Sequence, residues 1–497
     1  MACSIVSGCS VPLMPLTASE IDLAASVNLS TVVSAQEPVH GAIDLYEAMA
    51  RALKYNLDYQ VEAVQTSLRV AELDLSHYSM LPNVVANSGY AARDRFSASS
   101  SFNLVTGQEN FGASTSQEKE VTTADIQFSW NILDFGLSYV RARQSADKVL
   151  IGLELQRKVK QRIIEDVRTS FWRALSAQRL ISKLKALEIR SAKALQTARS
   201  ISQSRQSSAI ASLTYERELV EIRRTTKELE RDLIVANSQL AALMNLPPNL
   251  SFTLIAPQKH TDGWSTKVEL DDAIEFAVRN RPELRENLYE QRINIHETRA
   301  ALLELLPGLD LYAGGNQDNN RFLLNNNWVS WGAKASWNLL RVFSLPSKIN
   351  VIDTQTDLLQ ARGKALTMAI MTQVYVSQLR YQHFSEELTM ASDFRSVQNR
   401  LVAQIRAEAA ADRVTEQTLI REEMNALVGE AKYDIANASV QSAKANIYAS
   451  MGIEEQYGEF DQAASISEIA ASLRIGGLEQ GPLPHFGQMA NVENEHQ

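Results

Sequence analysis

The segment ADIQFSWNIL, residues 124–133, alternates apolar and polar side chains along most of its length. In an extended chain Ile126, Phe128 and Trp130 would lie on one face, and Asp125 and Gln127 on the other. The run has about the 9–11 residues that a tilted strand needs to cross a bilayer. The pattern therefore predicts a membrane strand, and a half-buried strand of a soluble antiparallel sheet is the alternative.

This segment is part of an internal duplication. The sequence SWNIL at 129–133 returns as SWNLL at 336–340, at an offset of 207. An earlier segment, 43–82, aligns without gaps on 268–307 at an offset of 225, and both copies end in Leu-Pro. The first copy is therefore longer than the second, by the difference between these two offsets. Each half is predicted to contain a helix, a strand, a loop, a second strand and a very long helix pair.

The second copy of the strand repeats the alternation, with Val329, Trp331 and Trp337 on its apolar face. Large aromatic residues near strand ends suit the belts that barrels place at the membrane interface. The residues predicted for this role are Phe128, Trp130, Trp328, Trp331 and Trp337. Partner strands are predicted at 83–95 and 309–317, directly after the two Leu-Pro pairs.

Long stretches without helix breakers follow the strands. No proline lies between Pro82 and Pro247, so nothing interrupts a helical pattern there. Apolar or small residues recur in alternating steps of four and three over 180–201, and again over 219–243. This is the heptad spacing of a left-handed coiled coil. A helix over 138–203 would be roughly 100 Å long, far longer than a globular core requires.

The composition excludes several classes of protein. The chain has 497 residues, 45% of them apolar and 22% charged, which predicts a folded protein. Its 49 basic and 58 acidic residues give a net charge of −9, so no nucleic-acid partner is predicted. No stretch approaches the ~18 consecutive apolar residues of a spanning helix. The seven histidines lack metal-ligand spacing, and no phosphate-binding loop or nucleophile elbow occurs, so neither an enzyme nor a cofactor is predicted.

Both cysteines lie in the first nine residues. Val-Ser-Gly-Cys at 6–9 resembles the box at which bacterial lipoprotein signals are cut, so Cys9 is a lipidation candidate and Cys3 is a second one. A signal peptide should also have a basic start and an apolar segment, and neither is present, so we expect the true start to lie upstream. A tail that carries two incidental cysteines is the alternative.

Four strands per chain are too few to close a barrel. Three copies in a cyclic assembly would give twelve strands without an open edge in lipid. The predicted fold class is α+β: a membrane β-barrel with four strands per chain and twelve in a trimer, together with long antiparallel coiled-coil helices, and internally duplicated.

Several of these features together resemble TolC-type outer-membrane efflux proteins. They are the Leu-Pro strand entries at 81–82 and 306–307, the Ser-Trp-Asn strand exits, the duplicated helical hairpins and Met-Gly-Ile at 451–453. The resemblance covers about residues 40–455. It implies a homotrimer in outer-membrane lipid, in which the β-barrel is continuous with a long antiparallel coiled-coil α-helical barrel. It also implies that this trimer works as the passive exit duct of a tripartite efflux or type I secretion system. A periplasmic adaptor and an inner-membrane transporter are the implied partners. The alternative is a soluble periplasmic coiled-coil adaptor or scaffold.

The resemblance also maps the periplasmic entrance to the two hairpin ends, at about 205–213 and 412–419. The charged candidates for the entrance or gate are Asp412, Arg413, Glu416, Arg421, Glu422, Glu423 and Arg205. One carboxylate per chain would become three around the axis, where they would repel anions or bind cations. Arg413 and Arg421 are expected to hold a closed state through interhelical ion pairs. The alternative for each residue is a solvated coiled-coil face.

The predicted domain organisation has five parts: a processed tether at 1–40, the first repeat at 41–246, an equatorial linker at 247–267, the second repeat at 268–452 and a partly disordered equatorial and C-terminal tail at 453–497. Loops at the outer end of the barrel are predicted at 94–119 and 316–327.

Overall fold

A computed structural model describes residues 13–34, 36–203, 209–247, 250–256, 269–411, 413–453 and 464–475. The helices are α1 (Ala18–Thr31), α2 (Leu45–Tyr55), α3 (Leu57–Tyr78), α4 (Ile132–Gln203), α5 (Ala209–Leu243), α6 (Leu270–Asn280), α7 (Pro282–Leu303), α8 (Arg341–Ala410), α9 (Glu416–Met451) and α10 (Ile466–Ile475). The strands are β1 (Ala42–Ile43), β2 (Asn83–Ala92), β3 (Ser99–Phe102), β4 (Glu109–Ser114), β5 (Glu120–Asn131), β6 (Thr253–Leu254), β7 (Gly308–Asp318) and β8 (Asn327–Ser336).

The element boundaries follow the two sequence offsets. The longer offset separates α2 from α6 and α3 from α7, at both ends of each helix. The shorter offset separates the start of β5 from that of β8, and the start of α5 from that of α9. The two repeats therefore build the same succession of elements, and the long helices α4 and α8 have 72 and 70 residues.

Three elements lie where the sequence predicted irregular chain. The tether contains α1, which starts with a capping box between Thr17 and Glu20. The first predicted outer loop contains the hairpin of β3 and β4, whose turn is held by the side chain of Asn103. The tail contains α10, which buries Ile469 and Leu473. These elements are explained by local capping and by burial, which the repeat pattern does not predict.

The chain divides into two compact units, and pieces of both repeats contribute to each. One unit is formed by 1–61, 157–281 and 369–497. Its main core is built from α2, α4, the end of α5 and α10, beside the parallel pair of β1 and β6. Among the large side chains that are fully buried there are Leu45, Met49, Leu53 and Phe171. Because α2 buries nearly every position, it is a central helix of this unit.

The other unit is formed by 62–156 and 282–368. It contains an antiparallel sheet in the order β2-β5-β7-β8 and the separate hairpin of β3 and β4. Between its helices, Arg292 of α7 forms an ion pair with Asp147 of α4. Along the described parts of the chain, no helix is both long enough and apolar enough to cross a membrane.

Candidate functional sites on the sheet and at the helix ends

The register of the four-stranded sheet assigns each side chain to a face, because directly paired residues lie on the same side. Two neighbouring rows run across all four strands on one face: Val84, Phe128, Ala313 and Trp331, then Ala86, Ile126, Gly315 and Val329. Every side chain in these rows is apolar or absent. The predicted alternation therefore produces one apolar face that is continuous across both repeats.

The residues that the structure describes leave this apolar face uncovered. Trp331 is 81% exposed and Val329 is 76% exposed, and Val84 and Ile126 are also mostly exposed. A contiguous apolar surface of this kind marks a site that lipid or a partner covers. Within the described part of the chain, this face does not pack against a core as the soluble alternative requires.

The opposite face is polar and internally hydrogen-bonded. The Asn87 side chain donates to the Asp125 carboxylate at 2.9 Å, and Asn131 donates to Asp310 at 2.7 Å. Tyr312 lies over its cross-strand partner Gly332, where an added Cβ would be 2.5 Å from the phenolic oxygen. The amide donors hold the carboxylates in place, and the glycine provides room for the aromatic ring.

The five aromatic candidates occupy different places on this sheet. Phe128 and Trp331 share one row of the apolar face, and Trp331 is in the middle of its strand rather than at an end. Trp130 pairs with Leu311 on the same face. Trp337 follows the last residue of β8 and donates its indole N–H to the carbonyl of Leu305 at 2.9 Å. Trp328 pairs with Asn316, so it lies on the polar face, because its position differs in parity from that of Trp331.

In the described part of the chain, both edges of the sheet are open. β2 pairs only with β5, and β8 pairs only with β7, among the residues that the structure describes. Each edge strand has ten residues, so each edge presents a long row of backbone N–H and C=O groups that another strand could pair with. Exposed edges of this length are normally paired or protected.

At the other candidate site, the α8–α9 hairpin turns without glycine. The carbonyl of Glu408 accepts the backbone N–H groups of Ala411 and Arg413, at 3.1 and 3.0 Å. Thr415 then caps α9, because its hydroxyl accepts the N–H of Thr418 at 3.3 Å. These hydrogen bonds satisfy backbone groups that the two helix ends leave free.

Glu423 of α9 joins three helices near this turn. It forms ion pairs with Arg190 of α4 and with Arg406 of α8, the latter at 3.0 Å. The Glu423 side chain is only 11% exposed, whereas both arginines are about half exposed. Below it, Ile420 and Met424 pack against apolar residues of α4 and α5. Glu423 therefore links α9 to both α4 and α8 within one chain.

Glu422 and Arg421 interact mainly within α9 and with α8. Arg421 pairs with the adjacent Glu422 at 3.2 Å, so this ion pair is within one helix. Gln398 of α8 and Asn425 donate to the same carboxylate at 2.9 and 3.2 Å. Burial raises the pKa of Glu422, but these hydrogen bonds and the Arg421 charge outweigh it and hold the pKa below its usual value. The carboxylate is therefore ionised at neutral pH.

A series of charge pairs continues from Glu423 along the antiparallel helices α4 and α9. Lys183 pairs with Glu430 at 2.6 Å, and Arg179 pairs with Asp434 at 3.1 Å. Asp434 is almost fully buried, and burial raises its pKa despite the arginines beside it. The basic residues are all on α4 and the acidic residues all on α9, so the two helices have complementary faces.

The remaining entrance candidates differ in their surroundings. Arg413 and Glu416 are exposed beside the turn. Burial raises the pKa of Tyr215 of α5, and the nearby negative charge of Glu416 raises it further. Asp412, Arg205, Cys9 and Cys3 lie outside the described residues.

Three residues of this site were not predicted from the sequence: Arg190, Arg406 and Gln398. Arg406 and Glu423 lie at similar distances from the hairpin turn, which is a signal that could have paired them. Arg190 is 233 residues from Glu423 in the chain, and no pattern in the sequence links them. Within the described ranges, no group of three or more His, Cys, Asp or Glu side chains is arranged to hold a metal ion.

Two strands of the sheet and one pair of long helices, present in duplicate, are the TolC-type fold, which confirms the predicted fold class. Solved structures of outer-membrane channels share this fold with the chain. The Campylobacter jejuni CmeC outer membrane channel matches with a TM-score of 0.63 and 12% identity, over 92% of this chain and 96% of that one. The open state of the Neisseria gonorrhoeae MtrE outer membrane channel matches with a TM-score of 0.63 and 12% identity, over 82% and 88%.

The outer membrane protein VceC from Vibrio cholerae matches with a TM-score of 0.60 and 8% identity, over 82% of this chain and 96% of that one. Neither a family model nor a curated protein sequence matches the chain. At these identities the similarity lies in the fold.

Proposed function

We propose that this chain is one subunit of a homotrimeric outer-membrane channel, the passive exit duct of a tripartite efflux or type I secretion system. The observation that carries the proposal is the four-stranded sheet, with an exposed apolar face, a polar face and two open edges. A sheet with these properties is complete only when its apolar face meets lipid and its edges meet other strands. The shared fold with solved outer-membrane channels supports the same conclusion.

Three copies complete the sheet. Each contributes four strands of 10 to 12 residues, so the assembly has twelve strands of membrane-spanning length. The apolar rows then face lipid, and the polar face with Asp125 and Asp310 lines a water-filled interior. The closed barrel leaves no backbone group unpaired in the hydrocarbon region.

The hairpin ends form the entrance in this proposal. Arg413, Glu416 and Arg421 are exposed there, and Glu422 retains its charge, so each contributes three charges around the axis of a trimer. Glu423 has a separate role, because its charge is already balanced by Arg190 and Arg406 within the chain. Asp412 and Arg205 complete the proposed set.

A periplasmic adaptor and an inner-membrane transporter are the proposed partners, since a passive duct supplies no energy of its own. Lipidation of Cys9, or of Cys3, is proposed as a further attachment to the outer membrane. The second candidate function is a soluble coiled-coil adaptor, which the charge-paired helices α4 and α9 would suit. An adaptor has no use for an apolar sheet face that is open to solvent, so we favour the channel.

The native mass of the protein extracted by detergent from an outer-membrane fraction tests the proposal. A protein mass of three times the 55.2 kDa chain is expected. A monomer or dimer that is recovered without membrane would refute the channel and favour the adaptor.

A further inference from the structure

The connection between β2 and β5, which we name the outer arm (residues 93–119), exposes apolar side chains at its tip. Leu104 is 90% exposed and Val105 is 95% exposed. Phe102 and Phe111, in the two strands of the arm, are also exposed. These residues belong to the longer first repeat, and the second repeat has a short loop in the corresponding place.

The tip of the outer arm has a defined backbone. The Asn103 side chain accepts the N–H groups of Val105 and Thr106, at 2.9 and 3.1 Å. The Asn103 carbonyl accepts the N–H of Gly107, which has the positive φ of 64° that glycine adopts without strain. The turn therefore presents its two aliphatic side chains in a fixed conformation, as a preformed contact surface would.

The base of the arm is attached to the β7–β8 loop (residues 319–326) of the same chain. Asn320 of this loop donates to the carbonyl of Ser116 at 2.9 Å, and Arg321 pairs with Glu118 at 2.7 Å. The loop also has an apolar residue that the described part of its own chain leaves uncovered, because Leu324 is 96% exposed. Two apolar surfaces thus lie at the same end of the sheet.

Strand order and direction bring these surfaces together between copies. β2 is an edge strand and runs directly into the outer arm, whereas β8 is the opposite edge strand and begins directly after the β7–β8 loop. In a closed ring, β2 of one copy lies beside β8 of the next, antiparallel to it as the other neighbours are. The arm of the first copy then starts beside the β7–β8 loop of the second.

We propose that the outer arm of each copy packs on the β7–β8 loop of the neighbouring copy, so that Leu324 is buried by a second copy of this chain. This inference rests on the cyclic assembly of the proposed function. Every copy gives one arm and receives one, so the contact closes with the ring and leaves no unused surface. We infer a second copy as the partner because the outer arm continues directly from β2, the open edge strand that pairs with the neighbouring copy.

Photo-crosslinking tests the proposal in the full chain, expressed in outer membranes. A photoreactive amino acid replaces Leu324, and the irradiated sample is run under denaturing conditions. We expect a band of twice the 55.2 kDa chain mass, and mass spectrometry should map the crosslink to a peptide within 93–119. The matched control places the probe at Ile126, which is exposed on the central strand β5 and should yield no such band.

A reciprocal probe at Val105 should capture peptides from 319–326, which covers the case in which the first variant assembles poorly. Crosslinks only within one chain, or only to lipid, in a sample whose native mass is that of the oligomer would overturn the inference and leave the proposed function intact. A membrane extract without any oligomer would overturn both.

Discussion

Replacing Gly452 with alanine is expected to destabilise the unit that contains the end of α9. Gly452 ends this helix in the left-handed conformation, with φ of 68° and ψ of 20°. An added Cβ would be 3.0 Å from the carbonyl carbon and oxygen of Asn280 and 3.1 Å from the nitrogen of Arg281. These are backbone atoms between α6 and α7, so they cannot move aside as a flexible side chain would.

Two separate costs contribute to the expected effect. The left-handed conformation costs a residue with a Cβ about 1–2 kcal/mol, and crowding in a packed site typically costs about 1–3 kcal/mol. The expected loss in the free energy of unfolding is therefore about 2–5 kcal/mol for Gly452→Ala. Asn245 is the equivalent residue of the first repeat at the shorter offset, and it also has a positive φ, of 56°.

The assay is the thermal midpoint of the helical circular dichroism signal of the purified protein in detergent. Gly452→Asn separates the two costs, because asparagine tolerates the left-handed conformation but still adds a Cβ beside Asn280. We expect an intermediate midpoint for Gly452→Asn. Asn245→Gly is the matched control, in which only the hydrogen bond from Asn245 to the Val32 carbonyl is lost. An unchanged midpoint for Gly452→Ala would refute this reasoning.

Two further predictions concern the charge pairs of α9. Glu423→Gln should lower the free energy of unfolding by about 1–2 kcal/mol, because two half-exposed arginines lose their carboxylate. The control Glu430→Gln removes a single ion pair and should cost less than about 1 kcal/mol. Equal thermal midpoints for the two variants would contradict this prediction. Asp434 has a raised pKa in the folded state, so folding favours its protonated form and its contribution falls as pH rises through that pKa. As the pH is raised from acidic to neutral, Asp434→Asn should therefore become more stable relative to the unsubstituted protein. Thermal melts of both proteins at several pH values measure this difference. A relative loss of stability toward neutral pH would show instead that the ion pair with Arg179 dominates.

Much of the fold could be predicted because its signals are local. The duplication placed α6 and α7 at offsets that the structure reproduces, and the alternation at 124–133 assigned the faces of β5. The repeat pattern did not predict α1, the β3–β4 hairpin or α10, because each depends on capping or on burial that a repeat does not encode. Trp328 was grouped with the other aromatic residues, although its parity places it on the polar face.

The entrance candidates could be predicted by position but not by interaction. The sequence indicated that Glu422 and Glu423 lie near a hairpin end. It did not show that Gln398 donates a hydrogen bond to Glu422, or that Glu423 links α4 to α8 through two arginines. Adjacent residues on a helix point in different directions, so their partners depend on which helices lie on either side.

Within the two repeats, the sequence by itself determined the kinds of element and their apolar faces, because periods of two and of seven residues are properties of the local chain. Only the tertiary structure decided which charges meet across α4 and α9, as in the pair of Lys183 and Glu430. The physical reason is that a heptad seam is satisfied equally well after a slip of seven residues. The register is therefore fixed by contacts that do not repeat, and those contacts exist only once the helices have packed.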